Sequence, residues 1–164
     1  MNQITKSRGI RNKKILLIFI PLVLSSVTSL WNISGFPSLH VDEGHYMRKA
    51  MSTLQGEGLQ PQDRYFAPYF GQILLAGILG MIGYPDTLNP SPDADSVESL
   101  YLIPRLIMGL FAVLDTLLIY KITEKRYGLK VALLASILFA VIPYGWLLRR
   151  IFLESIQLPL LLTS

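Results

Sequence analysis

Three stretches of this sequence carry no charged residue: Ile15 to Leu39, Phe66 to Pro85 and Val131 to Leu148. A fourth, 100–120, is apolar apart from Arg105 and Asp115. A helix needs roughly 20 apolar residues to cross roughly 30 Å of hydrocarbon, and each run meets or approaches that length. Between the first two runs, Tyr46, Met47, Ala50, Met51 and Leu54 recur at helical spacing, with Arg48 and Lys49 opposite. That pattern predicts a short helix lying on a membrane surface. Asp42 suits its N-cap, Glu43 its first turn, and Gly56-Glu57-Gly58 its end.

Charge then orders these segments. Lys6, Arg8, Arg11, Lys13 and Lys14 precede the first run with no acid among them, so the N-terminus belongs in the cytoplasm and the first helix points outward. A cleaved signal peptide is the rival. Its apolar region would be shorter, roughly 7–15 residues, whereas this run continues to Trp31 and Phe36. The Asn32-Ile33-Ser34 sequon lies too near the membrane to be used. If 66–84 also crossed, the basic stretch 121–130 would fall outside, and 85–98, with Asp86, Asp93, Asp95 and Glu98 and no Lys or Arg, would fall inside. Both placements oppose the positive-inside trend. Letting 66–84, with Pro68, Gly71, Gly77, Gly80 and Gly83, rest in the outer leaflet repairs both.

The predicted fold is all-α. Polytopic transmembrane helices carry a large external loop of juxtamembrane helices. Residues 1–14 form a cytoplasmic basic tail, 15–35 a span, and 36–99 the external loop. A second span covers 100–120, 121–130 is a cytoplasmic turn, and 131–148 is a third span. Residues 149–164 form an external turn and the start of a further helix too short to cross, so the chain reads as the N-terminal part of a longer protein.

Composition narrows the chemistry. The 164 residues are 51% hydrophobic, with a mean hydropathy of +0.44. The net charge of +4 sits at segment ends, so nucleic acid is not a predicted partner. There is no cysteine, and the two histidines, His40 and His45, give no ligand set for a metal.

A few polar residues remain at the outer face. Asp42-Glu43 reads either as a helix cap or as a general base, because a carboxylate near apolar surface holds its proton more readily. Arg149 and Arg150, at an outward end, oppose the charge trend. They read either as interfacial anchors paired with Glu154 or as a bidentate grip on an anion. Arg105 either anchors the second span or approaches the same headgroup region. Asp115, deep in that span, suits an interhelical hydrogen bond. Tyr65, Phe66, Tyr69 and Phe70 form an aromatic belt or a stacking surface.

In this order the elements resemble the polytopic glycosyltransferases that use lipid-phosphate sugar donors, the GT-C fold, and within them the protein O-mannosyltransferase-like and aminoarabinose-transferase-like branch. Asp42, Glu43 and Tyr46 stand where that family has an Asp-Glu pair followed by Tyr. Ala67-Pro68-Tyr69-Phe70-Gly71-Gln72, running to Gly83, stands where it has a Pro-Pro-led apolar helix. Arg105, Tyr120, Gly128, Pro143, Arg149 and Glu154 follow in family order. Tyr69 replaces the second Pro, Ala67 a basic residue thought to help hold the donor phosphate, and Glu154 the commoner Asp. Arg64 and Arg149 are the candidates to replace that basic residue.

The resemblance implies inverting transfer of a mannose-type hexose from a polyprenyl- or dolichyl-phosphate donor to an acceptor hydroxyl on a protein or lipid, at the outer or lumenal face of a plasma or ER membrane, without cofactor or metal. Asp42 and Glu43 would be the catalytic pair, with Asp42 as base. Tyr46, Arg105, Arg149, Arg150 and Glu154 would bind substrate. The alternatives are a non-catalytic membrane subunit or truncated fragment, and part of a transporter with Asp115 in an ion path.

Overall fold

A computed structural model describes residues 2–33, 41–59, 69–84, 86, 94–143, 145 and 150–164, and the side chains of these except 2–15, 41, 94–96, 153 and 154. Among the described residues there are six helices and no strand: α1 (Asn2–Leu30), α2 (Val41–Leu54), α3 (Tyr69–Met81), α4 (Ala94–Tyr127), α5 (Leu129–Val141) and α6 (Leu153–Thr163). The all-α expectation agrees with this.

By length and composition, one helix among the described residues is able to cross a membrane, the stretch Val97–Tyr127 of α4. Leu16–Leu30, Tyr69–Met81 and Leu129–Val141 are apolar but shorter. The basic N-terminal stretch, expected as a tail, forms the first turns of α1. α5 stops at Val141, inside the third predicted span (131–148), and residues 144 and 146–148 of that span lie outside the described residues. Ile142 is extended (φ −61°, ψ 131°), because the Pro143 ring disfavours the helical region for the residue before it.

α1, α4 and α5 pack on one another, and α4 also carries α6. α1 and α4 run antiparallel, as their contacts show: the Thr116 hydroxyl donates to Ser25 Oγ at 2.8 Å, Gly109 lies against Ser29 and Leu30, and Arg105 reaches the carbonyl of Ile33. A Cβ on Gly109 would stand 2.7 Å from Leu30 Cδ2 and 3.0 Å from the Ser29 carbonyl oxygen, so only glycine lets the two helices approach this closely. The Thr28 hydroxyl donates to the carbonyl of Ala140 at 2.9 Å, satisfying an acceptor where α5 stops. A single residue, Gly128 (φ 84°), joins α4 to α5. Its N–H donates to Glu124 O and its own carbonyl accepts from Ala132 N–H, so it serves the ladders of both helices. That positive φ suits glycine alone.

α2 packs on α3, which corrects one expectation. Tyr46, Met47 and Ala50 are buried in a cluster with Leu75, Ala76 and Leu79 of α3, with Leu100 and Met108 of α4, and with Ile151 and Ile156. The apolar stripe of α2 therefore faces protein, not a membrane surface. The helix ends in paired backbone bonds, Gly56 N–H to Thr53 O and Glu57 N–H to Ser52 O, the Schellman pattern that a glycine in this position supports.

Candidate functional site

The first turn of α2 carries Asp42 and Glu43 at the positive end of the helix dipole. The two acids have different surroundings. Glu43 is wholly buried. Arg105 Nε donates to its Oε1 at 3.0 Å and Arg105 Nη2 to its Oε2 at 2.7 Å. The backbone N–H of Ile151 donates to Oε1 at 3.1 Å. Arg105 spends its third nitrogen, Nη1, on the carbonyl of Ile33 at 3.1 Å. Both ions are fork-paired and nearly fully hydrogen-bonded, the condition under which a buried pair is tolerated.

This junction gathers four distant parts of the chain: the turn after α1, the start of α2, the N-terminal half of α4, and the connection into α6. Burial of Glu43 and Arg105 follows from their neighbours. Tyr46 and Met47 follow Glu43 into the core, and Tyr46 meets the Phe152 ring edge-on with centroids 6.0 Å apart. Tyr101 lies alongside, its hydroxyl 3.8 Å from where a Cβ on Gly44 would stand.

The predicted site residues separate by role. Glu43, Arg105 and Tyr46 are enclosed. In this arrangement Glu43 and Arg105 hold the backbone in place, and Tyr46 fills the core. Asp42 is half-buried one residue away. Arg150 precedes Ile151, and its Nε and Nη1 atoms are buried without a hydrogen-bond partner among the described residues. Ser155 Oγ, at the start of α6, is buried and unpartnered on the same terms. The junction thus fixes the backbone beside one acid, Asp42, and one arginine, Arg150. Arg149, Arg64 and the stretch Tyr65 to Pro68 lie outside the described residues, as does the Glu154 side chain.

Asp115 is buried in α4, with Oδ1 lacking a hydrogen-bond partner among the described residues. It lies ten positions along the helix from Arg105, about 15 Å at helical rise. Among the described residues no group of three His, Cys, Asp or Glu comes together in a form that would hold a metal.

Sequence reasoning placed Glu43 and Arg105 in the site but did not pair them, and it did not single out Tyr101. The available signal was Arg105 itself, since a charge inside an apolar helix calls for a partner. Compared with family models, with curated proteins and with solved structures, the chain matches none.

Proposed function

We propose that the chain belongs to a multi-pass membrane transferase that moves a sugar from a polyprenyl- or dolichyl-phosphate donor to an acceptor hydroxyl at the outer or lumenal face. The observation that carries this reading is the Glu43–Arg105–Ile151 junction. It sets an acid with surface, Asp42, and an arginine whose Nε and Nη1 lack hydrogen-bond partners among the described residues, Arg150, into one part of the molecule. The reaction calls for that combination. A carboxylate accepts the proton of the attacking hydroxyl, and a guanidinium stabilises the phosphate that leaves.

The bilayer part of the reading rests on side-chain placement. Large apolar residues face outward around α4: Phe19, Val23 and Val27 on α1, Trp31 in the turn after it, and Leu134 and Leu138 on α5, with Trp31 66% and Leu134 60% exposed. Serines, alanines and threonines face inward. Helices packed in lipid show this inversion, because lipid supplies no hydrophobic force between them.

In this mechanism Asp42 is the base and Arg150, with Arg149, meets the phosphate. Glu43 and Arg105 position them. Sugar transfer from a lipid-phosphate donor, measured in membranes holding the protein or its Asp42→Asn variant at equal expression, tests the assignment. The expected loss is about 100-fold or more; equal rates would remove Asp42 from the reaction. A non-catalytic membrane subunit is the second reading, favoured by the enclosure of Glu43, Tyr46 and Arg105. It predicts no transfer by either protein.

A further inference from the structure

The opposite end of α4 carries a second polar feature that the transfer chemistry does not use. From Arg105 to Tyr127 the helix runs 22 residues, about 33 Å at helical rise, close to the thickness of a hydrocarbon core. The outward-facing residues of its middle are Leu106, Leu110 and Leu114. The pattern then changes. Lys121 and Lys125 stand one helical turn apart, Arg126 follows, and Lys130 projects from the first turn of α5; all four are exposed. Ile122, Tyr127 and Val131 are exposed among them, Tyr127 by 70%.

The cations therefore sit on a rigid tip. Gly128 is the single linking residue, bonded into both helices, so the charges of two antiparallel helices converge without a flexible loop between them. Glu124 is the one acid in 121–130. Interleaved apolar and aromatic side chains distinguish the tip from a water-solvated charge run, because they belong at the depth where headgroups meet acyl chains.

We propose that the tip of the α4–α5 hairpin is a binding surface for the anionic headgroups of phospholipids. The assignment rests on the membrane part of the reading above and not on the transfer reaction. Charge complementarity selects the occupant: four cations, one acid and a ring at the end of an apolar belt suit a phosphate-bearing lipid surface, whose negative potential draws such clusters and decays within a Debye length.

The chain has no native cysteine, so Ile122→Cys gives a single fluorophore site on the tip. The full chain, so labelled, is placed in nanodiscs holding phosphatidylglycerol or phosphatidylcholine spin-labelled at the headgroup, in equal mole fraction. Quenching by the anionic lipid is expected to be about threefold the stronger, and to fall toward parity in about 0.5 M salt. Replacing Lys121, Lys125, Arg126 and Lys130 by glutamine is expected to abolish the preference. Replacing the three lysines by arginine is expected to keep it, which separates charge from folding. Equal quenching by the two lipids, or a preference indifferent to both salt and glutamine substitution, would overturn the proposal. Absence of quenching by either lipid, together with release of the protein by alkaline carbonate, would overturn the membrane reading beneath it. A preference that survives in nanodiscs lacking transferase activity would support the surface while removing the enzyme.

Discussion

Around the first turns of α4, Leu100 and Met108 pack with Tyr46, Met47, Leu75, Leu79 and Ile156. Farther along, the buried residues of α1, α4 and α5 include Ser25, Ser29, Ala112, Thr116, Ala132, Ser136 and Ala140, with Asp115 and Tyr120 the two large ones. One helix thus passes from a core in which long side chains predominate to one in which, Asp115 and Tyr120 apart, small and hydroxylated side chains do. The difference teaches which force holds each part. In the first, large apolar surface is removed from water, at roughly 25 cal/mol per Å². In the second, close backbone approach and hydroxyl contacts do the work, as where the surroundings are themselves apolar.

Four substitutions break or sharpen that contrast. Arg105→Ala leaves the Glu43 carboxylate buried and uncompensated, and is expected to cost about 3–5 kcal/mol, read as a large drop in thermal midpoint in detergent. Met47→Ala removes a long side chain that is fully enclosed, with an expected loss of about 2–5 kcal/mol by the same measurement. Gly109→Val forces α1 and α4 apart at Ser29 and Leu30; overpacking of this kind costs about 1–3 kcal/mol, and a crosslink between cysteines at Ser29 and Gly109's neighbour Met108 would form more slowly. Thr116→Val removes the hydroxyl contact to Ser25 and is expected to cost about 0.6 kcal/mol, the smallest of the four. A Thr116→Val loss equal to that of Met47→Ala would erase the distinction between the two regions.

The sequence displays some of this directly. The α2 stripe from Tyr46 to Leu54 was legible as a helix, because five apolar residues at helical spacing between Asp42 and Gly56 admit little else. What covers that stripe was not legible: an amphipathic helix has the same pattern against a bilayer as against α3. The stop of α5 at Val141 was not legible, because apolarity continues past Val141 while the backbone at Ile142 obeys Pro143. The junction was hidden for a different reason. Glu43 and Arg105 are 62 positions apart, and without the fold nothing distinguishes their pairing from a cap and a helix anchor. Nothing in the uncharged run from Ile15 to Leu39 marks Ser25, Thr28 and Ser29, although they form the inner face of α1.

The one-residue link at Gly128 also bears on the order in which the chain assembles. The entropic cost of joining two segments rises with the loop between them, and local contacts form sooner than distant ones. α4 and α5 have almost no loop to close, whereas α1 meets α4 only after 63 intervening residues have been made (Leu30 to Ala94). The hairpin is therefore the natural first product of folding. α1 docks onto it afterwards, with Gly109 as the notch that receives it.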